Sequence, residues 1–376
     1  MEARVLAAEQ VCRIRVWERS TGRLRTVHES GSTLFEAPNW SVGGELIVNG
    51  DGVLWRVAAA GGDPAPIGIA GVPDLNNDHV LAPDGRSVFV SANDWHLYEA
   101  PLEGGAARRI TAEDGAMHFL HGVRPDGRAL AYVRLTPQGE NWWASATIHE
   151  LTVDGSVDRA VTTHPGPADG CEYSPDGAWI YFNTEQFSTR AGHAQIARVR
   201  PDGSALEQLT ADERVNWFPH CSPAGDAFVY LSYPPGTHGH PADLPVEIRM
   251  VDGDRWDAPT TIVRLHGGQG TLNVNSWAPD GSAIAYVDYP LSGRSGRLST
   301  GLLTTARNSS RCARESSDPT LASPLIRLAG STRTMSSSMA IRRSISARSV
   351  CQLAAVRFSS ASATVVGFSV RAMSRS

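Results

Sequence analysis

Six polar side chains stand at matching distances before a recurring turn. His79 and His121 each lie four residues before a turn proline, Glu172 and His220 three before theirs. Asn275 lies four before another, with Asn273 two residues further back. Asp78, His118, Asp169 and Asn216 occupy neighbouring positions. If the segments carrying them converge on one axis, three imidazoles and a carboxylate meet there, a set that suits Mn, Fe, Ni or Zn. The same side chains equally suit a solvated lining, in which His and Asn bond only waters and nearby backbone. Offsets of three and four fall on opposite faces of a strand, so convergence requires bulges.

Other motifs carry less. His238-Gly239-His240 sits among Pro234, Pro235, Gly236 and Pro241, which reads as a surface loop. Trp142-Trp143 suits either a sugar-stacking platform or a buried strand. No Gly-x-Ser-x-Gly nucleophile elbow and no phosphate-binding glycine loop occurs.

The elements that must position these residues follow from the turn. Pro-Asp-Gly stands at 83–85, 125–127, 175–177 and 279–281, altered to Pro-Ala-Gly at 223–225 and to Val-Gly-Gly at 42–44. Proline presets φ at the first central position, aspartate bonds the local backbone, and glycine accepts the left-handed conformation. Apolar alternation after each turn makes it a β-hairpin. A second hairpin follows each of the first five, opening at Leu54, Leu97, Ile148, Ile196 and Ile248, and one further copy, Ile14 to His28, precedes the first turn.

Spacings of 41, 42, 50, 48 and 56 residues between turns, with four strands per unit, predict an all-β, six-bladed β-propeller over residues 10–290. The N-terminal hairpin has no first half and the last turn has no second half. Pairing them closes the ring and removes exposed strand edges.

Residues 291–376 hold 13 Arg against two acids, 21 Ser and no Trp or Tyr. The ring needs no more strands, so this Ser/Arg-rich segment is expected to be a disordered tail or a frame-shifted translation. An RNA-binding basic arm is the functional alternative. The remainder carries 21 Arg against 37 acids, which argues against nucleic acid as a partner of the propeller. No apolar run is long enough for a membrane helix. The opening, Met1 to Glu9, lacks the basic start and apolar core of a secretory signal, so a cytoplasmic monomer is expected. Five cysteines share no metal-type spacing.

The repeat written Tyr173-Ser174-Pro175-Asp176-Gly177-Ala178-Trp179-Ile180-Tyr181-Phe182 resembles those of TolB-type β-propellers. Longer stretches, among them Asn76-Asn77-Asp78-His79, Val215-Asn216-Trp217-Phe218-Pro219-His220 and Gly267-Gly268-Gln269-Gly270, are similar to a family of TolB-like bacterial propellers of unassigned function. That resemblance implies a non-catalytic scaffold for a protein or small-molecule ligand. The repeat type is also similar to that of oligogalacturonate lyases, which hold a divalent metal in the channel. This second likeness implies a metal-dependent, carbohydrate-active enzyme with Mn, Ni or Zn on His79, His121, His220 and Gln269, and Glu172 as a further ligand or base.

Overall fold

The computed structural model describes residues 4–137, 141–163 and 165–292. The expected tail, from residue 293 onward, lies outside the described residues.

The turn chemistry places the hairpins. Gly44, Gly85, Gly127, Gly177, Gly225 and Gly281 all take φ between 67° and 81°, the left-handed region that glycine enters at no steric cost. Asp84, Asp126, Asp176 and Asp280 each accept a hydrogen bond from the backbone N–H two residues on, at 2.8 to 3.0 Å. Where Ala224 replaces aspartate, Ser222 Oγ takes over by accepting from the Asp226 and Ala227 amides.

Around these turns the chain builds six antiparallel blades, five of four strands and a sixth of three regular strands. Blade 1 runs from its innermost strand Glu36–Trp40 outward through Glu45–Gly50 and Val53–Ala58 to Ala65–Pro66. The innermost strands of blades 2 to 5 are Leu75–Leu81, Met117–Val123, Ala168–Tyr173 and Val215–Cys221. Blade 6 joins both ends of the ring: Cys12–Glu18 pairs with Ala283–Asp288 on one side and with Leu24–Ser30 on the other. Asp288, itself buried, accepts from Arg13 Nε and Arg15 Nη1 across this seam. The expected closure is therefore present.

The second strand of each blade departs from the half-buried alternation that its sequence suggests. Ala227–Tyr233 and Ala283–Asp288 are buried at every position. Blades stack face to face, so each of these strands has a blade on both sides and no solvent face. The core is accordingly a ring of inter-blade apolar clusters, such as Trp217, Leu231, Ile248, Ile284 and Tyr286 between blades 5 and 6. Trp143 joins that cluster from a 3₁₀ turn, Trp142–Ser145, stacked on Trp217 with its indole N–H donating to Glu185. It is neither a strand residue nor an open platform.

Candidate functional site

Five innermost strands carry a register break next to the candidate residues: between Glu36 and Asn39, Leu75 and His79, Leu120 and Gly122, Asp169 and Glu172, and Trp217 and His220. These bulges supply what offsets of three and four require, because one extra residue re-aims the side chains beyond it. Ala37, Gly170 and Phe218 sit at the bulges with φ of 53°, 63° and 54°. The inner segment of blade 6 forms no regular ladder, apart from a single Trp277–Ile284 bridge. Its free carbonyls accept side chains from other blades instead: Leu272 O from His220, Asn273 O from His121, and Asn275 O from Asn39. Blades 3 and 6 are opposite in a six-membered ring, so the His121–Asn273 contact spans the axis.

The candidate residues fall into separate groups. In the first, His121 Nε2 lies 2.8 Å from Asp169 Oδ1 and its Nδ1 lies 3.4 Å from the Asn273 carbonyl. Both nitrogens face acceptors, so both carry protons. Burial works against that charge, but Asp169 and Asp78 outweigh it and push His121 up to about 9. Asp78 is pushed up to about 6 by burial, with Asp169 adding repulsion and His121 pulling it down. His240 approaches the same carboxylate, its Nε2 3.7 Å from Asp169 Oδ2, while its Nδ1 bonds Gln269 Oε1. Its ring packs 4.4 Å from Trp217 and 5.2 Å from Phe218.

The second group is closed. Glu172 Oε2 lies 2.6 Å from His220 Nδ1, and His220 Nε2 donates to Leu272 O at 3.0 Å. The other Glu172 oxygen accepts from the Cys221 amide and Asn275 Nδ2. His79 stands apart, fully buried, with Nε2 donating to Ile47 O at 3.1 Å and burial pushing it down to about 4.

At the end of the axis Glu36, the first residue of blade 1, is buried and accepts from Arg4 and from Asn77 Nδ2. Asn77 Oδ1 in turn receives Gln269 Nε2 and Asn273 Nδ2.

The expected cluster of three histidines and a carboxylate does not assemble. His79, His121 and His220 each turn to a separate oxygen partner, and both nitrogens of His121 and His220 are engaged. Among the described residues no group of three His, Cys, Asp or Glu side chains is arranged to hold a metal ion. Gln269 meets His240 rather than a histidine of the expected set. This donor set does not fit the divalent ion that the lyase likeness implies. For His121 and His220 the physical reason is local saturation, because an imidazole with both nitrogens held against protein oxygens has none left to ligate, whereas His79 keeps an unpartnered Nδ1 but belongs to no such group.

Sequence reasoning missed Arg4 and Glu36 and placed His240 on a surface loop. Glu36 stands six residues before Val42, the offset of Asn77, Asp169 and Asn273 before their prolines, so aligning the degenerate first turn would have found it. Arg4 and His240 carry no local signal.

No protein-family profile matches the sequence. An uncharacterized protein of Agrobacterium fabrum is 39% identical over 285 residues, covering 73% of this chain and 92% of that one. The solved structure of a protein provisionally called TolB, from Agrobacterium tumefaciens, is 36% identical with a TM-score of 0.68, covering 75% of this chain and 99% of that chain. The chain belongs to this family of TolB-like propellers. A manganese complex of oligogalacturonate lyase is 12% identical with a TM-score of 0.46, over 69% of this chain and 74% of that one. That distance carries no argument about chemistry. The family relationship fixes the fold and leaves function to the site.

Proposed function

We propose that the protein is a non-catalytic scaffold that holds a protein or small-molecule ligand at the axial end of the disc, around Glu36, Asn77, His121, Asp169, His240 and Gln269. The observation that carries this reading is internal saturation. Both nitrogens of His121 and of His220 are spent on protein oxygens, His79 spends its Nε2 on Ile47 O, and Glu172, the candidate base, is committed to three donors. A general base needs a free, positioned lone pair. A binding surface needs rigid loops, and short paired strands provide them. Among the described residues no helix is long and apolar enough to cross a membrane. A monomer working in the cytoplasm, without nucleic acid, completes the reading.

Metal analysis of protein purified without chelator tests it. The expected result is Mn, Ni and Zn far below one per chain and no change in unfolding temperature on adding them. Near-stoichiometric metal that is lost in His121→Ala or His220→Ala would overturn the scaffold reading and restore the lyase-like one.

A further inference from the structure

Arg4 sits at the seam between blades 1 and 6 with a geometry built for its head group. Its Nη1 donates to Glu36 Oε1 and, at 2.6 Å, to the Gln269 carbonyl, while Cζ stands 5.3 Å from the centre of the Tyr289 ring. Tyr289 OH donates to the same Gln269 carbonyl at 2.7 Å, which holds ring and carbonyl in one frame. The Glu36 side chain is only 6% exposed, and among the described residues Arg4 is its one ion-pair partner. Gly270 allows the carboxylate to sit there, since a Cβ at that residue would collide with Glu36 Oε1. A backbone bond from Ala37 N to Gly270 O ties the cradle across the seam between blades 1 and 6.

The group that fills this cradle is lightly tethered. Residues 4–9 form no strand before the Gln10–Leu291 bridge, and Val5 is 76% exposed. Apart from Arg4, this stretch touches the core through Leu6 and is otherwise held by bonds of Ala7 with Gln10 and of the Glu9 carbonyl with Ser292. A buried carboxylate stripped of its cation must take up a proton or another cation, and burial already pushes the Glu36 carboxyl up, so at pH above its titration the cradle retains its demand for a positive group when residue 4 leaves. A planar guanidinium meets that demand better than an ammonium. It offers N–H donors to carboxylate and carbonyl together while lying over a ring face.

We propose that Glu36, the Gln269 carbonyl and the Tyr289 ring form a guanidinium-binding site, filled in cis by Arg4, which a guanidinium-bearing ligand occupies when the N-terminal segment is displaced. The use of the site rests on the scaffold reading, but its existence does not. The experiment below concerns the cradle alone and can fail while that reading stands.

The test is rescue of the full chain carrying Arg4→Ala, followed by thermal unfolding with millimolar methylguanidinium or methylammonium at equal ionic strength. Arg4→Ala is expected to unfold below the wild type and to regain roughly 2–5 °C, saturably, with methylguanidinium and not with methylammonium. The wild type is expected to show no such gain, and Arg4→Ala with Glu36→Gln to lose the response. If Arg4→Ala does not fold, Arg4→Gln, which leaves the cradle without a cation, serves for the same comparison. An equal response to both cations, no response, or a response that survives Glu36→Gln would each overturn the proposal.

Discussion

His121 shows how much one buried side chain can set. Its folded value near 9 stands above the ordinary 6.5 because Asp169 and Asp78 outweigh burial. A histidine raised on folding contributes stability that is fully present below 6.5 and is lost as pH rises through 9. A shift of that size corresponds to roughly 3 kcal/mol. The unfolding temperature is therefore expected to fall between pH 6.5 and 9, and His121→Gln to flatten that fall. An unchanged slope in the variant would remove Asp169 and Asp78 as the cause. His79 stands at the same offset before its turn and meets the opposite fate, pushed down to about 4 by burial, which outweighs its bond to Ile47 O. Offset alone could not separate the two, because what differs is the neighbouring blade.

At the scale of the strand, the bulges aim the polar side chains. Gly170 marks one of them, with φ of 63° and a would-be Cβ 2.6 Å from Asn183 Oδ1. That oxygen also accepts the Phe218 amide, which links the bulges of blades 4 and 5. Gly170→Ala combines backbone strain with a clash, and a loss of roughly 2–4 kcal/mol is expected from urea unfolding. Stability within about 0.5 kcal/mol of wild type would mean that the bulge yields freely. The need for bulges was readable from mixed offsets. Their positions were not, since a bulge residue such as Phe218 carries no glycine to mark it.

For the whole molecule, the ring is closed by Cys12–Glu18 against Ala283–Asp288. We propose that the propeller is complete by Ser292. A chain ended after Ser292 is expected to unfold cooperatively at the temperature of the full chain, and a marked fall would make the remaining residues part of the folded unit. Removing residues 1–30 instead takes two strands from blade 6 and bares the edge of Ala283–Asp288. Loss of soluble protein is expected, because an open, apolar edge pairs with other chains. Full solubility after that deletion would show that closure is dispensable.

The turns, the blade count and the closure of the ring were determined by the sequence by itself, because a Pro-Asp-Gly hairpin is a matter of a few adjacent residues. Which polar groups meet was decided only by tertiary structure. His121 finds the Asn273 carbonyl 152 positions away, and Arg4 finds that of Gln269 across 265. No local pattern encodes such encounters. They arise when six blades bring distant strands to one axis, where burial favours whatever partner the neighbouring and opposite blades present.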